Sequence, residues 1–438
     1  MSPLAKALSD RSARVGVVGL GYVGLPLATA FADSGFDVLG FEVDATKVEA
    51  INSGTSYIPD IPTEEVARLV GLERLSATTN FSRLAECDAI SVCVPTPLRK
   101  TRDPDLTYIV KATEEIARHL RPGQLIVLES TTYPGTTVEI VAPTLSSAGL
   151  EIGREVHLAF SPERIDPGNE QFTVTNTPKI IGGMTSECNV VAQLLYESIV
   201  NTVITVSSPT AAEMVKLLEN TFRAVNIGLV NEVAIIADKL GLDVWEIIEA
   251  AASKPFGFMP FYPGPGLGGH CIPIDPHYLS WKLRTLNYRT RFIELADDIN
   301  NSMPDYVVSK VSAALNDSAK PIRGSKLLIL GVAYKRDITD WRESPAVPII
   351  RALQERGALV SYQDDYVEGL PLGSHGAGDR LCSVELDYEA MGEYDGVVIV
   401  TDHRYFDVTA ILANAQCVVD TRNLTGQQGR EDPKVVKL

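Results

Sequence analysis

The apolar positions of this chain fall into short runs that alternate with longer segments of helical spacing. Five short runs in the first half are rich in Val, Ile and Leu: 14–19, 37–41, 89–94, 125–129 and 157–160. Runs of this length and composition are typical of buried strands. The segments between them, such as the apolar stretch 25–34 that stops at Gly35, have the spacing of helices. This alternation predicts βαβ units built around a parallel sheet.

A similar series of apolar runs follows a long helical pattern in the middle of the chain. The pattern covers about residues 211–240 without a proline, and a helix of that length measures about 45 Å at ~1.5 Å per residue. Later strands are predicted over 324–331, 358–362, 396–401 and 416–420. We therefore predict an α/β protein with two Rossmann-like, doubly wound domains joined by a long central helix and a helical middle region. The predicted domains are 1–208, 209–318 and 319–438.

Composition narrows the classes of partner. At 438 residues, with 45% hydrophobic and 22% charged residues, the chain is typical of a globular protein of two or three domains. The formal net charge of −17 argues against nucleic acid or an anionic membrane as the main partner. The six cysteines are scattered, which predicts reduced thiols and no metal site. No apolar run approaches the ~20 residues of a membrane span, and the N-terminus lacks a signal-peptide pattern, so we expect a cytoplasmic protein.

A glycine motif of the form G-x-G-x-x-G lies between the first predicted strand and its helix. The loop residues predicted to contact a cofactor are Gly19, Gly21, Tyr22, Val23 and Gly24. The first glycine permits a tight turn, the second lets the backbone meet a pyrophosphate, and the third brings helix against strand. Glu42 follows the second strand, where a carboxylate accepts hydrogen bonds from ribose hydroxyls and disfavours a 2′-phosphate. The motif predicts binding of NAD rather than NADP; glycines in a plain βα turn are the alternative.

Later strands are followed by loops with polar side chains. Because ligands of open parallel sheets lie beyond the carboxyl ends of the strands, Thr96 and Thr131 are candidates to line the nicotinamide. Ser/Thr runs are also ordinary turn chemistry. Segment 161–169 carries Glu163 and Arg164 directly after the fifth strand, which predicts a substrate-facing loop.

A glycine-rich stretch in the middle of the chain contains Cys271, four residues ahead of Asp275. Glycines let the backbone approach a ligand closely, and a thiol beside them can be a nucleophile assisted by a nearby acid or base. A free cysteine is, however, more often a small buried apolar residue. Lys216 and Asn220 share one face of the long helix. If that face points at Cys271, the two side chains are placed to stabilise an oxyanion; a solvated face is the alternative.

The last third of the chain repeats the βαβ alternation without a G-x-G-x-x-G motif. It therefore need not hold a dinucleotide. Lys335 and Arg342, which follow its first strand, could instead bind an anionic ligand such as a diphosphate.

Taken together and in this order, the motifs resemble those of the nucleotide-sugar dehydrogenases, the UDP-glucose and UDP-N-acetylhexosamine 6-dehydrogenases. The resemblance covers essentially the whole chain. The motifs that carry it are Gly19-x-Gly-x-x-Gly24, Val94-Pro-Thr96-Pro, Glu129-Ser-Thr131, Ser161-Pro-Glu163, Glu213-x-x-Lys216-x-x-x-Asn220, Gly268-Gly-His-Cys271-x-Pro-x-Asp275 and Lys335-x-x-x-x-Asp340-x-Arg342-Glu-Ser-Pro.

The resemblance implies a four-electron oxidation of the sugar C6 alcohol to a carboxylate with two NAD⁺, giving a precursor for polysaccharide synthesis. Cys271 would add to the intermediate aldehyde, and the resulting thiohemiacetal would be oxidised to a thioester that water hydrolyses. By this analogy Lys216 and Asn220 stabilise oxyanions, while Asp275, Glu163 and Thr131 manage water and protons. His270 is given no role, because relatives carry other residues at that position.

The resemblance also implies binding residues and an assembly. The residues implied to bind the UDP-sugar are Glu163, Arg164, Lys216, Asn220, Phe261, Gly268, Lys335 and Arg342. In the family the long helix forms the core of a dimer, so a homodimer or higher homo-oligomer is expected.

The motifs indicate the identity of the sugar less strongly than they indicate the class of reaction. The Ser161–Asn169 loop and Tyr57-Ile-Pro-Asp-Ile61 resemble the enzymes that act on UDP-N-acetyl-D-glucosamine, which is the expected substrate. UDP-glucose is the runner-up, with UDP-N-acetylmannosamine and UDP-N-acetylgalactosamine behind it. Pro167 stands where a second loop carboxylate is found in relatives, and Asp166 is only adjacent to that position.

Two rival functions remain at this point. A single-step β-hydroxyacid dehydrogenase shares the N-terminal half and a Lys-Asn helix, but it needs neither Cys271 nor residues 324–438. A non-catalytic nucleotide-sugar sensor would have lost part of the catalytic set, and every member of that set is present.

Overall fold

The computed structural model of this chain describes residues 2–99, 103–164, 171–269, 271–371 and 380–438. The chain forms two compact units. The first contains Met1–Glu219 and His277–Tyr288, and the second contains Asn220–Pro276 and Arg289–Leu438. Two helices, α8 (Pro209–Lys239) and α10 (Asp275–Thr285), contribute residues to both units. The three domains predicted from sequence are a finer division and stay a prediction.

The first unit is built on one eight-stranded sheet. Its strands are β1 (Arg14–Val18), β2 (Asp37–Phe41), β3 (Leu75–Thr78), β4 (Ala89–Val92), β5 (Leu125–Leu128), β6 (His157–Phe160), β7 (Lys179–Gly183) and β8 (Val203–Val206). The spatial order is β3-β2-β1-β4-β5-β6-β7-β8. The chain therefore changes direction across the sheet between β1 and β4, which is where doubly wound folds bind their ligands.

Helices cover this sheet on both faces. They are α1 (Pro3–Ser9), α2 (Gly24–Asp33), α3 (Ala45–Asn52), α4 (Thr63–Gly71), α5 (Thr107–His119), α6 (Ala142–Ser146) and α7 (Ser186–Tyr196), with a 3₁₀ turn at Phe81–Glu86 and a π-helical turn at Thr137–Val141. Alternate strand residues serve opposite faces: Val15 and Val17 pack in one cluster with α2, whereas Val18 packs in another with α5. Burial on both faces explains why these strands are almost wholly apolar.

One strand pair in this sheet is antiparallel. β7 pairs with β6 in the opposite direction, with Phe160 opposite Gly182, while all other neighbours are parallel. As a result β7 begins at the edge of the sheet where β6 ends. The first residue of β7, Lys179, therefore lies at the ligand-binding edge, where only strand ends are expected in a parallel sheet.

The second unit has a five-stranded, fully parallel sheet. Its strands, in the order β10-β9-β13-β14-β15, are β10 (Leu359–Gln363), β9 (Lys326–Leu330), β13 (Gly396–Ile399), β14 (Val418–Asp420) and β15 (Val435–Lys437). Two short strands, β11 (Gly369–Pro371) and β12 (Arg380–Cys382), pair in the antiparallel sense. The remaining helices are α9 (Val244–Ala252), α11 (Arg291–Asp317), α12 (Ala346–Glu355), α13 (Val408–Asn414) and α14 (Gly426–Glu431), with a 3₁₀ turn at Glu389–Glu393.

These two sheets confirm the predicted α/β fold with two Rossmann-like halves. β2 and β6 have the predicted bounds, whereas β4 ends at Val92 rather than at residue 94. The long helix was predicted over 211–240 and begins two residues earlier. Within the described ranges, no helix is both long and apolar enough to cross a membrane.

Candidate active site

The glycine loop after β1 has the geometry that a dinucleotide requires. Gly19 has a φ of +87°, and its N–H donates to the oxygen of Phe41 at 2.8 Å, which continues the β1–β2 pairing to the point where the chain turns toward α2. A Cβ at Gly24 would overlap the carbonyl oxygen of Gly19, so only glycine lets α2 pack this closely on the strand. A Cβ at Gly21 would meet nothing within 4 Å. The loop thus leaves open space for a pyrophosphate at the N-terminal end of α2, where unpaired N–H groups favour an anion.

The carboxylate of Glu42 is held by the backbone around the glycine loop. It accepts hydrogen bonds from the N–H groups of Leu20 at 3.1 Å and Val43 at 2.8 Å. The Tyr57 hydroxyl donates to the oxygen of Leu20 at 2.6 Å. Segment 57–61, which was considered as an indicator of the sugar, therefore begins against the cofactor loop. These contacts fix a negative charge where a ribose 2′-hydroxyl is expected.

The two hydroxyl-bearing loops after β4 and β5 are tied to each other and to α10. The Ser130 hydroxyl donates to the oxygen of Val94 at 2.8 Å, and the Tyr278 hydroxyl donates to the oxygen of Thr96. Thr96 and Thr131 are both half-buried. The structure thus brings the two predicted nicotinamide-lining threonines onto one edge of the first sheet, on loops joined by a hydrogen bond.

Glu213, near the start of α8, anchors the loop that carries Thr131. Its carboxylate accepts from the N–H of Gly135 at 2.5 Å, and from the N–H and hydroxyl of Thr137 at 2.8 and 2.7 Å. The side chain is 1% exposed. Burial raises the pKa of Glu213 to about 7, although these hydrogen bonds act in the opposite direction. Glu213 is part of a motif recognisable in the sequence, but its role as an anchor is visible only in the structure.

Glu163, after β6, is surrounded by charged groups. Its Oε2 lies 3.6 Å from Nζ of Lys179, and its backbone oxygen accepts a hydrogen bond from Nζ of Lys216 at 2.7 Å. Arg164, the next residue, forms an ion pair with Glu219. The first unit therefore brings the predicted residues Glu163, Arg164 and Lys216 together. Residues 165–169 of the predicted sugar loop lie outside the described part of the chain.

The second unit places Asn220, Cys271 and Asp275 around the start of α10. Cys271 is exposed, and its backbone oxygen accepts the N–H of Asp275 at 2.8 Å. Asp275 is the first residue of α10 and is buried. The Asn220 amide donates to Oδ2 of Asp275, and Arg223 donates to the amide oxygen of Asn220. Three of the predicted catalytic residues thus form one connected group.

The glycines before Cys271 let its loop pack against Tyr334. Cβ atoms at Gly268 and Gly269 would lie only 2.6 and 2.8 Å from the Tyr334 side chain. Tyr334 precedes the half-buried Lys335, so the cysteine loop and the predicted diphosphate-binding lysine are neighbours within this unit. Phe261, another predicted substrate contact, packs edge-on against Phe222 with ring centres 5.7 Å apart. His270 lies outside the described residues.

The second predicted cation, Arg342, pairs with an acid of its own loop. Its Nε and Nη2 atoms donate to the two carboxylate oxygens of Asp340, each at 2.9 Å. This bidentate contact fixes the guanidinium plane. It also offsets the charge that Arg342 would present to a diphosphate.

Arg422 is a cation that sequence analysis missed. It follows β14 by two residues, and its Nε donates to the oxygen of Val400 at 3.1 Å. A Cβ at Gly264, the first residue of the cysteine stretch, would lie 2.6 Å from its guanidinium. The available signal was its position directly after a strand, which is the same signal that identified Lys335.

The chain matches three family models that follow one another. Residues 13–200 match the NAD binding domain of the UDP-glucose/GDP-mannose dehydrogenase family, residues 210–302 match its central domain, and residues 328–427 match its UDP binding domain. The predicted NAD cofactor and the predicted class of enzyme, a dehydrogenase of UDP-sugars, are confirmed by these matches.

Relatives of this chain are similar over almost their whole length. The chain is 35% identical to the UDP-N-acetyl-D-glucosamine 6-dehydrogenase of Pseudomonas aeruginosa, over 90% of this chain and 91% of that protein. It is 34% identical to an NDP-N-acetyl-D-galactosaminuronic acid dehydrogenase of Ralstonia solanacearum, over 94% and 96%. The solved structure of the UDP-D-ManNAc dehydrogenase of Pyrococcus horikoshii superposes with a TM-score of 0.87 at 32% identity, over 97% and 98%. The chain belongs to the UDP-glucose/GDP-mannose dehydrogenase family.

Proposed function

We propose that this protein oxidises the C6 hydroxyl of UDP-N-acetyl-D-glucosamine to a carboxylate in two successive NAD⁺-dependent steps. The observation that carries the proposal is the group formed by Asn220, Cys271 and Asp275. An exposed thiol lies one helical turn ahead of a buried carboxylate that is itself held by an amide. A single-step alcohol dehydrogenase has no use for this thiol, because its product leaves as an aldehyde or ketone.

The first oxidation requires removal of one proton and one hydride from C6. NAD⁺, when bound at the glycine loop, accepts the hydride. A base must take the hydroxyl proton, either directly or through water. We assign this proton handling to Thr131, Glu163 and Asp275, whose side chains are buried or half-buried. The product of this step is an aldehyde.

The second oxidation requires a nucleophile, because an aldehyde must first become tetrahedral before it can release another hydride. The Cys271 thiolate adds to the aldehyde carbon and forms a thiohemiacetal. Loss of the second hydride gives a thioester, and water displaces the thiolate to leave the carboxylate. In sum, the alcohol, two NAD⁺ and one water yield the carboxylate, two NADH and three protons.

The oxyanions of these steps need stabilisation. Lys216 and Asn220 are one turn apart on α8 and therefore share a face of that helix. An ammonium and an amide N–H are suitable donors for a developing alkoxide, and both side chains are buried, where such donors act strongly. We propose that they hold the C6 oxygen in both oxidations.

The nucleotide part of the substrate needs a different kind of contact. We propose that Lys335 and Arg342 bind the diphosphate, and that Phe261, Gly268 and Arg164 contact the sugar or the nucleotide. The packing of Gly268 against Tyr334 supports this proposal, because it brings the cysteine loop next to Lys335 within one unit.

The choice of N-acetylglucosamine rests on sequence. The relatives named above are, by their names, enzymes of N-acetylglucosamine, N-acetylmannosamine and N-acetylgalactosaminuronic acid, at similar identities. They share a 2-acetamido sugar, which favours such a substrate over UDP-glucose. The Ser161–Asn169 sequence favours the gluco configuration by resemblance. UDP-glucose, UDP-N-acetylmannosamine and UDP-N-acetylgalactosamine remain the alternatives.

A panel of UDP-sugars tests the proposal. Purified protein is incubated with NAD⁺ and limiting UDP-N-acetylglucosamine, and NADH is measured by absorbance. We expect two NADH per sugar and an acidic product. One NADH per sugar would contradict the four-electron reaction, and no NADH with any UDP-hexose would contradict the function altogether. Faster turnover with another UDP-sugar would correct only the identity of the sugar.

The Cys271→Ser variant tests the covalent step. A hydroxyl in place of the thiol is a poorer nucleophile and gives an ester that hydrolyses more slowly. We therefore expect aldehyde release or a stable ester instead of normal turnover. Wild-type turnover in this variant would disprove the thioester. The matched control is Cys382→Ser, which changes an exposed cysteine far along the sequence and should leave the reaction unchanged.

We also propose that α8 pairs with a second copy of the chain. Its exposed apolar side chains are Met214, Leu218, Phe222, Leu229 and Ile236. At about 100° per residue these positions fall within a stripe about 80° wide along one side of the helix. An apolar stripe of this kind on an exposed helix is typical of a homodimer seam.

Light scattering after size-exclusion chromatography tests the pairing. We expect the mass of a dimer or a higher homo-oligomer for the wild type, and a smaller assembly for the Leu218→Glu/Leu229→Glu variant. Leu72→Glu is the matched control, because Leu72 is 59% exposed, close to the 58% of Leu218, but lies at the C-terminal end of α4, away from α8 in sequence. A monomeric wild type would contradict the proposal.

A further inference from the structure

Glu163 belongs to a buried cluster of polar side chains in the first unit. We call it the Lys179 cluster; its members are Ser91, Glu129, Glu163, Lys179 and Tyr196. Lys179 donates to Oε2 of Glu129 at 2.6 Å, and its Nζ lies 3.6 Å from Oε2 of Glu163. The Tyr196 hydroxyl donates to the other oxygen of Glu129 and lies 3.3 Å from the Ser91 hydroxyl. Glu129 is 0% exposed and Lys179 is 7% exposed.

The antiparallel strand β7 explains how this lysine reaches Glu163. Phe160 lies opposite Gly182, so continuing that register by three residues brings Glu163 level with Lys179. Glu129 directly follows β5, the other neighbour of β6. Two carboxylates from neighbouring strand ends therefore converge on one ammonium from the start of a reversed strand.

Glu129 and Glu163 are not equivalent partners of Lys179. Glu129 is fully buried, and burial raises its pKa, while the ammonium of Lys179 acts in the opposite direction. The two carboxylates raise the pKa of Lys179 against the effect of its burial, so the lysine is charged. Glu129 makes the shorter contact and receives a second donor from Tyr196, which makes it the anchor of the lysine. Glu163 makes the longer contact from a backbone that leads toward the predicted substrate loop.

We propose that Lys179 is a positioning residue that keeps Glu163 in its carboxylate form, with Glu129 as the anchor that holds the ammonium in place. The inference rests on the proposed function, and it takes Glu163 as the base that activates the water in thioester hydrolysis as well as one of the groups that handle the C6 hydroxyl proton. Neither Lys179 nor Glu129 touches the reacting atoms. Both residues act on the reaction through the charge of Glu163.

Other charged and titratable groups also face Glu163. Lys216 binds its backbone oxygen rather than its carboxylate, and the Arg164 N–H donates to its Oε1 at 2.6 Å. The remaining groups of the surroundings are Cys93, Tyr196 and the Arg164–Glu219 ion pair. Lys179 places its ammonium within ion-pair distance of the Glu163 carboxylate.

Replacing Lys179 and replacing its anchor Glu129 should shift the acidic limb of the pH–rate profile in opposite directions. In Lys179→Met the carboxylate form of Glu163 loses a favourable charge, so the acidic limb of the pH–rate profile should move to higher pH by about one unit. In Glu129→Gln a competing negative charge disappears while Tyr196 keeps an acceptor, so the limb should move to lower pH. Lys179→Arg retains the cation and should restore the wild-type limb. If Lys179 and Glu129 have only a structural role, both variants should lose activity or stability while the acidic limbs of their pH–rate profiles stay at the same pH.

The covalent intermediate gives a second measurement. Acid-quenched samples are examined by intact mass spectrometry during turnover of UDP-N-acetylglucosamine. Because hydrolysis needs the Glu163 carboxylate, Lys179→Met should accumulate the Cys271 thioester over the pH range in which its acidic limb has fallen and that of the wild type has not, and the accumulation should disappear at higher pH. Lys310→Met is the control, since it removes a partly buried lysine that pairs with Asp238 in the second unit. It should show the wild-type profile.

Lys179→Met leaves Glu129 buried without its ammonium and is therefore at risk of not folding. The double variant Lys179→Met/Glu129→Gln removes both charges, and we expect its acidic limb to lie at higher pH than that of Glu129→Gln alone. Coincident limbs in these two proteins, or shifts of the single variants in the same direction, would overturn the inference. The wild type measured alongside separates the two proposals: if it forms no NADH with any UDP-sugar, the proposed function fails, whereas an active wild type with unmoved variant limbs refutes only the role of Lys179.

Discussion

Lys216 donates a hydrogen bond of 2.7 Å from Nζ to the backbone oxygen of Glu163. The bond ties helix α8 to the loop that follows β6. It also holds a buried ammonium at the edge of the sheet where ligands bind, with two further N–H donors on that nitrogen. An ammonium oriented in this way is suited to a negative charge that develops during a reaction, because little reorganisation is needed.

Replacement of Lys216 should therefore affect the chemical steps more than folding. We expect Lys216→Met to lower kcat by a factor on the order of 10²–10³, the usual cost of removing one oxyanion donor. Lys239→Met, at the exposed end of the same helix, should be close to wild type. Stopped-flow measurement of NADH formation checks both. Equal losses in the two variants would indicate a general effect of the helix instead of stabilisation of an oxyanion.

Asn220 offers a sharper substitution, because its amide donates to Asp275. In Asn220→Asp two carboxylates would face each other in a buried site, and one of them would be forced to take up a proton. We expect kcat to fall by about 10²-fold, together with a lower unfolding temperature. Asn226→Asp introduces the same charge on the same helix, where the side chain makes only a solvent-exposed contact to the Phe222 carbonyl, and should be tolerated. Normal turnover in Asn220→Asp would exclude the pairing with Asp275 as a catalytic requirement.

Sequence patterns were sufficient for the fold where the signal is local. The apolar runs and glycines around β1 and β2 determine a strand, a turn and a helix within about 30 residues, so their order was predictable. The direction of β7 was not predictable, because an apolar run does not indicate which strand it pairs with or whether the pairing is parallel or antiparallel. The register of Phe160 against Gly182 arises only when the whole sheet assembles.

The candidate site shows the same difference between features that the sequence predicts and features that arise only in the folded structure. The types of residue, such as Cys271, Asp275 and Lys216, were recognisable from motifs. Their partners were not: a carbonyl oxygen for Lys216 and an amide for Asp275 both depend on tertiary contacts. Lys179 was overlooked because no strand was predicted at residues 179–183, and a lysine beside a short apolar run normally lies in solvent.

The selectivity for NAD should depend on Glu42. We expect Glu42→Ala to raise the KM for NAD⁺ by about tenfold, since the ribose loses an acceptor worth on the order of 1.5 kcal/mol and the Leu20 N–H loses its partner. The kcat at saturating NAD⁺ should stay within about twofold of wild type, and the preference for NAD⁺ over NADP⁺ should decrease because the carboxylate no longer repels a 2′-phosphate. Steady-state kinetics with both cofactors measure these changes. Asp44→Ala, an exposed N-cap next to the same loop, is the control; an unchanged KM in Glu42→Ala would contradict ribose binding at this position.

Glu213 should make stability depend on pH in a direction opposite to that of most carboxylates. Burial raises its pKa from 4.5 to about 7 in the folded protein. Between these values the folded state keeps a proton that the unfolded state releases, so the contribution of Glu213 to stability increases as pH falls through 7 and is complete near 4.5. At about 1.4 kcal/mol per pKa unit, the difference amounts to about 3.5 kcal/mol. Glu213→Gln cannot titrate, so denaturant unfolding of the first unit should lose this component of its pH dependence. The exposed Glu187→Gln should retain the wild-type slope, and parallel slopes for all three proteins would show that the Glu213 carboxylate does not take up a proton on folding.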